Sequence, residues 1–128
     1  MTIAVAYRPD EFGRAALDWA AAHATLADDS IILINISRGE PRLDAGFARG
    51  RDVQAITEEL REKGVSLEVR QTTGDDVAEA VLFEAEQAGA TLIVVGIRRR
   101  SPVGKMLMGS VAQSILLDAS VPVVAVKP

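Results

Sequence analysis

The chain has 128 residues, a formal net charge of −4 and no cysteine, so it suits one domain that buries roughly two thirds of its unfolded surface. The missing thiols exclude disulfide staples, thiolate zinc sites and a cysteine nucleophile, and the acidic balance argues against specific nucleic-acid binding. The opening MTIAVAYRPD has no basic flank, and its apolar run breaks at Arg8, far short of a secretory signal or of the roughly 20 apolar residues of a membrane span. A soluble cytoplasmic protein that does not engage membranes is the expectation.

The first strand is expected over residues 3–7, and a helix over 11–26 with Ala16, Leu17, Trp19, Ala20 and Ala24 inward. Asp28 and Asp29 turn the chain. Residues 31–36 are nearly all apolar, the pattern of a central strand covered on both faces. Gly39, Pro41, Gly46 and Gly50 then fall among charged residues, so 37–50 is expected to be the one long irregular segment and the most mobile.

A second helix is expected over 52–63, where Val53, Ile56 and Leu60 keep helical spacing and Gly64 is the stop. Val65, Leu67 and Val69 alternate with polar residues, as in an edge strand with one wet face. Gly74 and Asp75 introduce a third helix with Val77, Val81 and Ala85 four apart, ended by Gly89. A fourth strand, 92–95, runs through Gly96 into a basic loop, a helix starting near Gly109 and Ser110, and a last strand, 123–126.

Such alternation implies an α/β fold: a doubly wound, five-stranded parallel sheet with helices on both faces, a three-layer sandwich of the flavodoxin-like kind. Ligands of open parallel sheets bind beyond the carboxyl ends of strands, where the winding reverses. With the first strand central and the fourth beside it, Arg8 and Gly96 line one crevice. A helix start adds free backbone N–H groups that attract anions.

The segments IAVAYRPDEFGRAALDWA, IILINI, GDDVAEAVLFEAEQAGATLIVVG and GSVAQSILLDASVPVVAV together resemble the universal stress proteins, α/β domains similar to adenine nucleotide alpha hydrolases, many of which bind ATP. The family's signature is glycine, two residues, glycine, nine residues, then glycine and serine or threonine. Gly96, Gly109 and Ser110 stand in register with it. Two departures matter. Arg99 holds the second glycine position, with Pro102 at a further position often occupied by glycine, which disfavours a tight phosphate cradle. At the end of the first strand Arg8 replaces the aspartate of ATP-binding relatives, and Arg, a donor only, cannot accept from ribose hydroxyls.

Arg98, Arg99, Arg100 and Lys105, with Arg8 opposite, either form a reshaped anion site through guanidinium forks or project into water as loop charges commonly do; Arg98 and Arg100 suit the solvated reading better. The triple arginine also suits a weak polyanion contact. Gly96 is readable as a strand stop, Ser110 as a helix N-cap, and Ser101 with Pro102 as a short helical turn.

Enzymatic signatures are missing: no G-x-S-x-G, H-E-x-x-H or P-loop occurs. His23 reads as a surface or boundary residue, and Asp75, Asp76 and Glu79 as the acidic first turn of a helix, so neither a catalytic residue nor a metal site is assigned. The resemblance leaves two functions. One is a regulatory protein that acts through an unidentified protein partner and requires no cofactor. The other is an ATP or nucleotide module, capable of slow hydrolysis, using Arg8, Ile36, Gly96, Arg98, Arg99, Lys105, Gly109 and Ser110, with adenine near Ile36. The first is favoured by the lost aspartate and glycine. The resemblance also implies a homodimer through the last strand, with Val121, Val123, Val124, Ala125 and Val126 at the interface.

Overall fold

The computed structural model describes residues 1–98 and 108–128. In chain order the elements are β1 (Thr2–Ala6), α1 (Glu11–His23), β2 (Ser30–Ser37), α2 (Gly50–Glu62), β3 (Ser66–Thr73), α3 (Val77–Gln87), β4 (Leu92–Gly96), α4 (Ser110–Asp118) and β5 (Val123–Val126). A 3-10 turn, Pro41–Leu43, lies between β2 and α2. All strands pair in parallel in the order β3-β2-β1-β4-β5. The alternating pattern of the sequence thus becomes the doubly wound α/β sheet it implied.

The period of two along β1 divides the core. Ile3 and Val5 join Leu17 and Ala20 of α1 and Ile56 and Leu60 of α2 on one face. Ala4 faces the opposite layer, with Val81 and Ala85 of α3 and Ile115 of α4. Along β2, Ile31 and Leu33 enter the first layer while Ile32, Ile34 and Ile36 enter the second, so the strand is apolar throughout because both its faces are covered. It is an inner strand, second from the edge; β1 is the middle one. β3 is an edge strand, and its Leu67 and Val69 pack on one face only.

Helix ends follow local chemistry. Asp10 caps α1 by accepting the Gly13 N–H at 2.9 Å, and Asp76 caps α3 by accepting that of Glu79 at 3.1 Å. α1 stops at His23, three residues before the expected Leu26, because the chain leaves helical geometry at Ala24 and the buried Asp29 carboxylate takes the Leu26 N–H at 3.0 Å. α2 begins at Gly50, two residues earlier than expected. Gly64 and Gly89, at φ +77 and +71, end α2 and α3 in the left-handed conformation that glycine adopts without a Cβ penalty.

The segment after β2 is irregular, as expected, and is held by specific hydrogen bonds. Asn35, fully buried, donates to the Tyr7 and Gly46 carbonyls at 2.9 Å each and accepts from the Ala48 N–H at 2.7 Å and from Gln71 at 3.2 Å. One side chain thereby ties the end of β1, the loop and β3 together. Asp44 adds a second tie, accepting the Arg38 N–H at 3.0 Å and the Gly46 N–H at 2.8 Å. These bonds, with a contribution from Arg8, hold its carboxyl below the ordinary 3.8.

Candidate functional site

The winding reverses between β1 and β4, and their carboxyl ends open a crevice of about 380 Å³. Its floor is apolar, formed by Ile36, Val77, Val81, Val95 and Ala112. Its rim carries Arg8, Arg38 and Arg98, with Gly109 and Ser110 at the start of α4. Of the eight residues expected at the site, Arg8, Ile36, Gly96, Arg98, Gly109 and Ser110 all line this one cavity. Arg99 and Lys105, like Arg100 and the Ser101–Pro102 pair, lie outside the described residues.

The two glycines shared with the signature have different surroundings. A Cβ on Gly96 would collide with the backbone carbonyl of Phe12, and one on Gly13 with the backbone of Arg8, so both glycines let the first turn of α1 press against the strand ends. Gly109 has an ordinary φ of −61, and among the described residues nothing lies within 4 Å of where its Cβ would be. Neither its backbone conformation nor any contact with the described residues calls for glycine there.

Gly109, not Ser110, is the N-cap of α4. Its φ and ψ of −61 and 151 are extended, while its carbonyl already accepts the Gln113 N–H at 3.0 Å; Ser110 is the first helical residue. A glycine cap supplies no side-chain acceptor, so the first-turn N–H groups of α4 receive no cap bond from it. They carry the partial positive charge of a helix start.

Arg8 is largely exposed, and its Nε lies 3.4 Å from Asp10 Oδ2. Its guanidinium rests on Gly46: a Cβ there would come within 2.8 Å of Cζ and Nη2. Arg98 places Cζ 5.9 Å from the Phe12 ring centroid, a cation–π contact. Burial raises the Tyr7 phenol above its ordinary 10.0. Sequence reasoning missed Arg38 and Phe12, which reach the crevice from segments with no motif, and Asn35, hidden in an apolar run.

Among the described residues no group of three or more His, Cys, Asp or Glu side chains could hold a metal ion. His23 stacks on Trp19 with ring centroids 3.8 Å apart, and its Nδ1 lies 2.8 Å from the Trp19 carbonyl oxygen; it does not line the crevice. No helix among the described residues is long and apolar enough to cross a membrane. β5 forms one margin of the sheet, with Val121, Val123, Val124 and Val126 half-buried and Ala125 exposed.

Comparison with known proteins adds a lineage to this geometry. Residues 1–127 match the Universal stress protein family. A "Universal stress protein" of Mycolicibacterium smegmatis is 44% identical over 126 residues, spanning 98% of this chain and 97% of the relative. A universal stress protein structure from Archaeoglobus fulgidus superposes with a TM-score of 0.75 at 24% identity, over 98% of this chain and 97% of that one. A second Archaeoglobus fulgidus structure, in complex with dAMP, gives a TM-score of 0.66 at 20% identity, over 98% and 96% of the two chains.

Proposed function

As the chain belongs to the universal stress protein family, we propose that it is a small regulatory protein acting through protein partners, with the crevice as a nucleotide site that does not depend on tight ATP binding. The observation that carries this reading is Gly109: a glycine that no contact among the described residues requires, at a helix start whose cap supplies no side-chain acceptor, beside an apolar floor. A phosphate accepts the N–H groups of α4, where a Cβ would obstruct it, and a flat base covers Ile36, Val77 and Val81. The complex of an Archaeoglobus fulgidus relative with dAMP supports the choice of ligand class.

ATP binding is weakened at the other end of the site. A carboxylate accepts hydrogen bonds from ribose hydroxyls; Arg8 only donates. Isothermal titration of the nucleotide-stripped protein with ATP and magnesium, ADP and AMP tests the reading. Micromolar binding by any of them supports the crevice as a nucleotide site. No heat at millimolar ligand, at two temperatures, contradicts it and leaves the partner-binding role alone.

Homodimerisation is the second part of the proposal, supported by the position of β5. Ile93 and Ile97 donate to the Pro122 and Val126 carbonyls at 3.0 and 2.8 Å. Alternation then turns the backbone groups of Val123 and Ala125 outward, where a second copy can pair with them. Ala125→Pro removes one outward donor without touching the β4 ladder, so sedimentation should change from dimer to monomer; a dimer that survives the substitution speaks against pairing through this edge.

A further inference from the structure

The crevice has two arginine-bearing poles. At the β4 end stand Arg98 and the N-terminus of α4; at the β1 and β2 ends stand Arg8 and Arg38, which also line an adjoining recess of about 340 Å³ reached past Ile36 and Val77. A nucleotide with all its charge at the 5′ end answers only the first pole. We propose that the ligand is a nucleotide whose ribose carries a further phosphate on its 2′ or 3′ hydroxyl, gripped by Arg8 and Arg38; this rests on the reading of the crevice as a nucleotide site.

Three carboxylates stand near the second pole: Asp10, Asp44 and Glu40, the last lining the recess with its Oε1 3.7 Å from Arg42 Nε. Asp10 Oδ1 takes the Gly13 N–H, and the two oxygens of Asp44 take the Arg38 and Gly46 N–H groups. Asp10 faces Arg8 through Nε, so the Nη groups of Arg8 remain for a ligand. Arg38 has no ion-pair partner among the described residues. Gly46 provides the bare surface on which the Arg8 fork lies.

The exchange has a chemical logic. Acidic side chains select a ribose with free hydroxyls because they accept from them, whereas a guanidinium selects a phosphate esterified at the same place because it can donate two parallel hydrogen bonds. Arg8 at the end of β1 therefore suits a phosphorylated ribose, and Arg38 supplies a second fork at the same end of the crevice.

The test is isothermal titration of the whole chain, at fixed ionic strength, with adenosine 2′,5′-bisphosphate, adenosine 3′,5′-bisphosphate and ADP, which has two phosphates at one end. One bisphosphate should bind about tenfold or more tightly than ADP. In Arg8→Gln and Arg38→Gln that ratio should fall toward one, and in Arg38→Glu below one. Both side chains are exposed, so circular dichroism should find the variants folded. Equal or tighter binding of ADP by the unaltered protein, or a bisphosphate preference that survives both Gln substitutions together, overturns this inference while leaving the nucleotide site standing. Binding of none of the three overturns both.

Discussion

At the end of β4 the first turn of α1 lies so close that Gly96 has no room for a side chain, whereas at the start of α4 Gly109 has an ordinary backbone and, among the described residues, nothing within reach of a Cβ. Both stand in register with one signature, but folding requires the first glycine, whereas no contact among the described residues requires the second. The same contrast extends across the crevice. Its β2 side is tied by Asn35 and Asp44 to the backbone of the following loop, while on its α4 side the cap residue, Gly109, supplies no side-chain acceptor to the first turn. A glycine in a binding signature is thus weak support for binding until the space around it is known.

Substitutions can break this comparison. Gly96→Ala must displace the Phe12 carbonyl, a backbone atom that cannot swing aside, so a loss of about 3 kcal/mol in urea unfolding is expected. A loss near zero would mean that Gly96, too, serves a ligand. Asn35→Leu strands the Ala48 N–H and the Gly46 and Tyr7 carbonyls in a buried site; it should cost about 2 kcal/mol and raise hydrogen exchange of the Ala48 amide.

Asp44→Asn sharpens the contrast through pH. Because the folded carboxyl titrates below the ordinary 3.8, its contribution is complete above that value and disappears as pH falls through the lower folded value. The unaltered protein should therefore lose stability below about pH 4 more steeply than Asp44→Asn, by about 0.5 kcal/mol after allowance for solvent screening. Parallel stability curves would remove Asp44 from the ties that hold this loop.

Much of the fold was legible because period-two and helical spacing are local signals: the buried β2, the wet-faced β3 and the element order all follow from them. The crevice was legible too, since alternation implies a winding switch and so places Arg8 near Gly96. What escaped depends on partners distant in sequence. Asn35 reads as one polar residue in IILINI until the fold brings Tyr7, Gly46 and Gln71 to it. Composition made residues 37–50 an irregular segment, but its order comes from those same long-range bonds. Gly13 and Gly46 have ordinary spacing, and only the approach of Arg8 gives them a reason. By residue type Ser110 reads as a cap, whereas the geometry passes that position to Gly109.

The most direct measurement is a paired one on Gly109→Ser, recording unfolding free energy and nucleotide affinity in the same preparation. A serine at an N-cap accepts a first-turn N–H, so stability should rise by about 0.5 kcal/mol. If those N–H groups hold a phosphate, the same substitution should weaken nucleotide binding about tenfold. Greater stability with lower affinity is the predicted result; unchanged or tighter binding would contradict the claim that this helix start is kept open for a ligand.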